Sequence, residues 1–181
     1  MSYRSATTRV GLIGRGAELL ESELRREGTI PVSRLDDGGD VPPLTTVLVV
    51  ETFDSDERWR DWELREAMLW DMLETALAKM SNPARMLIIG LTGGDSVRHR
   101  KDVRKYLEYL VGEIRVIAVN AYGIDVTANA LGAPMSTDRR LLAATGLRYA
   151  SRPGIGGNGI VVKLEDLRGM SLGQYLSGFD V

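Results

Sequence analysis

An α/β three-layer sandwich, a mostly parallel sheet with helices on both faces, is the fold class this sequence predicts. Three observations predict it. Short apolar runs alternate along the chain with helix-like segments. The clearest run, Thr46 to Val50, is rich in valine and bounded by polar positions, as in a strand buried on both faces. The length of 181 residues suits one domain, 1–181, with enough chain to bury a core. Such alternation makes crossover connections the natural route between strands, and therefore a parallel sheet.

The elements follow in order. Val10 to Ile13 is a short apolar strand ending in glycines, and GAELLESELRREG carries Leu19, Leu20 and Leu24 at helical spacing before Gly28 stops it. Thr29 to Leu35 reads as a second short strand, and DDGGDVPPL as a loop. After the strand at Thr46, Ser55 or Asp56 caps a helix from about Arg58 to Met80, which Asn82-Pro83 ends because proline disfavours helical geometry in the residue before it. One face of that helix carries Trp62, Leu69, Leu73, Ala76, Leu77 and Met80. Leu64, Met68 and Met72 extend the apolar stripe onto a second face, more than one sheet contact needs, which suits either a helix sunk in its own core or one that also meets a partner. Met86 to Leu91 is the next strand, ending in the turn TGGDS. Val97 to Asn120 is ambiguous by itself: Val103, Leu107, Leu110 and Val111 recur as in a helix, whereas IRVIAV is β-branched like a strand. Val126 to Leu131 is a further strand closed by a glycine-containing break, DRRLLAATGLRYA a short helix, and Gly159 to Leu164 a last strand.

Composition narrows the function classes. With 23 Lys plus Arg against 25 Asp plus Glu, the net charge of -2 gives no pull toward nucleic acid or an anionic membrane. There is no cysteine to act as a thiolate, and the single His99 cannot build a histidine-rich metal site. MSYRSATTRV has neither the apolar run of a signal peptide nor the length of a membrane span, so a cytoplasmic protein is expected. VGLIGRGAEL spaces Gly11, Gly14 and Gly16 as G-x-x-G-x-G before a helix whose N-terminus offers free N–H groups to a phosphate, and Asp36 follows about where an acid would bind a ribose. Against this, Glu18 places a negative charge in the first helical turn. RHRKDVRK, residues 98–105, is either a grip for an anion or a solvated helix start, RPGIGGNG either a loop or a backbone nest, and the tail MSLGQYLSGFDV offers Leu172, Tyr175, Leu176 and Phe179 for docking on a neighbour.

In order and spacing, these pieces resemble the short-chain dehydrogenase/reductase family, a one-domain Rossmann fold. ALAKMSNPARMLIIGLTGG is similar to the family's long helix and the central strand that carries its catalytic serine, and VGEIRVIAVNAYGIDVTANALGAP to its next helix, YGI corner and following strand. The resemblance therefore favours helix for IRVIAV. It implies a serine, a tyrosine acting as acid or base, a lysine four residues later that lowers the tyrosine pKa, and an asparagine in the preceding helix. Counting back without gaps from Gly123 puts Lys101 at the tyrosine position and Lys105 at the lysine; Thr92 is the nearest hydroxyl at the end of the central strand, and counting back from Met80 puts the asparagine near Arg65. Tyr106 and Tyr109 lack a lysine four residues on and read as packing residues. Between Leu35 and Thr46 the family places two helices and a strand that wall the adenosine half of the cofactor, and these few residues cannot contain them.

A truncated fold of this kind, lacking the Ser/Tyr pair, leads to the expectation of a catalytically silent homologue that serves as a structural or regulatory subunit and binds no cofactor. It would assemble as a homo- or hetero-oligomer through helices 58–80 and 97–120, with an active family member as one such partner. An active oxidoreductase using NAD or NADP through an altered site, and an anion- or nucleotide-binding module at Arg98 to Lys105, are the alternatives.

Overall fold

The computed structural model describes residues 8–27, 30–35, 40–152, 157–167 and 169–178. Six strands form one sheet in the order β2-β1-β3-β4-β5-β6, and every neighbouring pair is parallel. The strands are β1 (Val10–Ile13), β2 (Val32–Arg34), β3 (Leu44–Phe53), β4 (Met80–Thr92), β5 (Val126–Pro134) and β6 (Val161–Lys163). The helices are α1 (Ala17–Arg26), α2 (Trp59–Ala78), α3 (Val97–Tyr122), α4 (Arg139–Ser151) and α5 (Leu172–Ser177), with a 3-10 turn at Leu164–Leu167. This is a Rossmann-like three-layer sandwich, as the alternation of apolar runs predicts.

The two faces of the sheet bury separate cores because side chains alternate along each strand. Val10, Leu12, Leu48, Val50, Leu87 and Ile89 meet α1 and α4 on one face. Val47, Val49, Met86, Ile88, Ala128 and Ala130 meet α2 and α3 on the other. There Trp62 of α2 packs edge-on against Phe53 at 5.2 Å between ring centroids, and Tyr106 of α3 lies 5.4 Å from Trp62. Gly123 closes α3 in the left-handed conformation at φ 62°, and the Ser96 hydroxyl accepts from the His99 N–H at its start, so IRVIAV lies wholly within a helix.

Several boundaries differ from the sequence reading. Helix α2 ends at Ala78, and Asn82-Pro83 lies inside β4, where the register with β3 shifts between Leu44 and Thr46. In this irregular stretch a proline's missing N–H costs the ladder nothing. At its start, neither Ser55 nor Asp56 is the cap: Arg58 is, its N–H donating to Asp61 Oδ2 at 2.7 Å. The expected break at Gly132 is continuous strand to Pro134, held by pairing with β4. Helix α2 buries Trp62, Leu69, Leu73, Ala76 and Leu77, while Met80 belongs to β4; of the second face Met72 is half-buried against the core, but Leu64 is 76% and Met68 70% exposed, so within one chain that face is covered only at Met72. Of the proposed docking residues in the tail, Leu172 and Leu176 pack into the chain's own core beside α4, and Phe179 lies outside the described residues.

Candidate functional site

Among the described residues, two of the places where polar side chains gather at the carboxyl ends of the strands hold residues singled out by the sequence. The first is the glycine turn after β1, beside β3, where the strand order reverses and open α/β sheets commonly bind ligands. Gly14 adopts φ +102°, and a Cβ there would collide with the Val50 carbonyl; one on Gly16 would lie 2.9 Å from Val50 Cγ1. The Gly16 N–H donates to Val50 O at 2.8 Å, and the Arg15 N–H to Glu51 Oε1 at 3.1 Å. Gly11 makes room for Leu44 and Leu35, whose methyls would lie 2.7 and 3.0 Å from a Cβ. These glycines thus bring the turn against the chain's own strand.

A dinucleotide, the cofactor the resemblance implies, needs those amides free for its pyrophosphate. Here two are already donated to β3, and the carboxyl of Glu51 stands against the turn. The turn does not fit a pyrophosphate. Asp36, the expected ribose ligand, lies outside the described residues. Glu51 is buried at the end of a valine-rich strand, and burial pushes its carboxyl up from 4.5 to about 7 against the opposing pull of Arg15. Arg15 also reaches Glu57 at 3.5 Å, and Arg65 donates to Glu57 Oε2 at 3.2 Å, so the position matched to the family's asparagine carries an ion pair.

The second place is a cleft of about 290 Å³ beyond β4, β5 and β6, walled by the first turns of α3. Thr92, the hydroxyl nearest the expected serine position, lines it at the end of β4. Lys101 and Lys105 do not line it, and both are exposed. Helix α3 instead turns Arg100 and Arg104 into the cleft with Val103 and Leu107. The four-residue spacing is kept but moved by one residue, which rotates a helical position by about 100°. Arg104 is paired with Glu108 at 2.9 Å.

The same rotation divides the basic run. Arg98, His99 and Asp102 face the loop at Ser55 to Arg58, Arg100 and Arg104 face the cleft, and the two lysines face outward, so residues 98–105 form no single anion grip. His99 is buried, with Nε2 hydrogen-bonded to Phe53 O at 3.3 Å. Neither Tyr106 nor Tyr109 lines the cleft. Burial raises the Tyr106 pKa, and a 2.6 Å bond to Glu66 pushes Tyr109 up to about 12. From the loop before β6, residues 153–156 lie outside the described residues. Its end is tied to β5, since the Ala128 N–H donates to Asn158 Oδ1 and the Ile160 N–H to Asn129 Oδ1, both at 3.0 Å.

Two features of these places go beyond the sequence expectations, the acid at Glu51 and the division of the basic run that turns Arg100 and Arg104 to the cleft. Glu51 is the lone acid in LTTVLVVETF and lies one residue beyond the apolar run that ends at Val50. Arg100 and Arg104 lie side by side next to the apolar positions Val103 and Leu107 on the helical wheel, a placement legible in the helical period. Compared with protein-family models and with curated proteins, the chain matches none.

Proposed function

We propose that this chain is a catalytically silent relative of the short-chain dehydrogenase/reductase family that serves as a structural or regulatory subunit. The observation that carries the reading is the chemistry of the cleft beside Thr92. Where the resembled enzymes need a phenol to exchange a proton, α3 presents Arg100 and Arg104, and a guanidinium stays protonated throughout the accessible pH range. The elevated pKa values of Tyr106 and Tyr109 point away from acid–base use near neutrality. The glycine turn, closed on β3 and facing Glu51, supports the same reading.

A subunit role is supported by the outer surface of the α2–α3 layer, which leaves Leu64, Met68, Val116 and Val119 exposed. Titration of the purified chain with NADH and NADPH, followed by a panel of carbonyl acceptors, tests the silent part of the assignment. No saturable binding and no hydride transfer are expected, while turnover with any acceptor overturns it. Mild purification from the source tests the rest: another dehydrogenase-like chain, or a second copy, is expected in the same particle, and a lone monomer contradicts the subunit role.

A further inference from the structure

The cleft beside α3 opens over one of two paired glycines. Gly90 of β4 and Gly132 of β5 are paired across the ladder. A Cβ on Gly90 would meet Leu107 Cδ1 at 2.9 Å, so α3 fills that position. At Gly132 the nearest atom to such a Cβ is Val162 O at 3.9 Å, and the space above it stays open. The resulting hollow of about 290 Å³ lies at the small end of ordinary ligand pockets, which run from about 300 to 1,000 Å³. Apolar walls come from Val103, Leu107, Val161, Val162 and Leu164.

Its polar groups are few and unequal. Of three cations at the cleft, Arg104 is engaged by Glu108 at 2.9 Å and Lys163 by Glu165 at 3.6 Å. Arg100 has no ion-pair partner among the described residues, and neither does the hydroxyl of Thr92, a buried residue, have a hydrogen-bond partner among them. One uncommitted guanidinium matches one negative charge. A phosphate dianion would add a second charge to a rim that already holds Asp95 and Glu165. The planar guanidinium fork suits a carboxylate in particular.

We propose that this cleft binds a small monocarboxylate, with the carboxylate taken by Arg100 and the Thr92 hydroxyl and a short apolar body lying over Gly132. The site requires no chemistry and does not rest on the subunit role, so either assignment can fail while the other stands.

Calorimetric titration of the purified full chain with hexanoate, hexanamide and inorganic phosphate tests it. Hexanoate is expected to bind saturably, with hexanamide and phosphate at least about tenfold weaker, the scale of one lost charge-assisted hydrogen bond. Arg100→Gln, a substitution at an exposed position, should weaken hexanoate by at least about tenfold. Gly132→Val keeps every charge and fills the hollow in a direction where the backbone leaves room; it should abolish binding while circular dichroism and melting temperature stay as in the parent. The proposal is overturned if hexanoate fails to bind at millimolar concentration, if hexanamide or phosphate binds as well as hexanoate, or if either variant retains the parent affinity.

Discussion

Glu51 is the residue where sequence, fold and electrostatics meet most closely. It directly follows the buried apolar run Val47 to Val50 within β3, and the price of its position is a carboxyl that titrates near neutrality. Since the folded pKa of about 7 lies above the ordinary 4.5, the folded state holds a proton that the unfolded chain has released between those values. Stability linked to Glu51 is therefore fullest at or below about pH 4.5 and is lost as pH rises through 7. Glu51→Gln keeps an acceptor for the Arg15 N–H and removes the titration. At pH 8 the variant is expected to be more stable than the parent, by an amount on the order of 3 kcal/mol, with the difference shrinking toward zero at pH 4.5. Denaturant midpoints across that pH range decide the matter, and an advantage that grows on acidification contradicts it. The candidate site was partly legible for a related reason. Thr92 could be placed because it ends a strong strand. Lys101 and Lys105 could not be tied to the cleft, because a count without gaps fixes sequence position but not rotation about a helix axis, and one residue of slip exchanges exposed lysines for cleft-lining arginines.

At the scale of elements, the sequence showed which segments alternate better than where they stop. The strands near Val10, Thr46, Met86, Val126 and Gly159 all appear in the parallel sheet, because continuous apolar runs are what a sheet covered on both faces demands. Strand β4 begins at Met80 rather than at the expected Met86, because Asn82-Pro83 resembles a terminator but sits within a register shift that only the neighbouring strand reveals. Helix α3 could not be assigned from IRVIAV alone, since β-branched residues there are accommodated by packing of the opposite face rather than favoured by propensity. Two helical glycines offer opposite tests of this packing. Gly112 of α3 has nothing within 4 Å of where a Cβ would stand, so Gly112→Ala should stabilise the isolated chain by about 1 kcal/mol through helix propensity. At Gly146 of α4 a Cβ would lie 2.9 Å from Leu48 Cδ1, where the helix rests on β3, and Gly146→Ala should destabilise by about 1–3 kcal/mol through overpacking. Urea melts of the two variants check the pair. Equal signs for both would mean that α3 and α4 do not sit on the sheet as described.

The whole molecule is asymmetric about its sheet. On one side α1 and α4 close a core with Leu20, Leu24, Leu142 and Ala143 fully covered, and α5 adds Leu172 and Leu176. On the other, α2 and α3 bury an aromatic cluster inward yet leave Leu64, Met68, Val116 and Val119 at 76%, 70%, 53% and 59% exposure. Exposed residues of this kind contribute little to the fold of a single chain, whereas a partner covering them would gain roughly 25 cal/mol for each Å² of apolar surface removed from water. The two roles can be separated by substitution. Trp62→Ala removes the indole at the centre of the inner cluster and should cost about 3–5 kcal/mol of stability, whatever the state of assembly. Leu64→Glu and Val116→Glu lie on the outer surface and should change the stability of the isolated chain by less than about 0.5 kcal/mol. If this layer is where the subunit assembles, the same two substitutions should shift the sedimentation coefficient of the native particle to that of a single chain at concentrations where the parent stays associated. Retention of the parent assembly in both glutamate variants would show that the outer surface of α2 and α3 is not the interface, and would move the search for a partner to the opposite layer or to the sheet edge at β2.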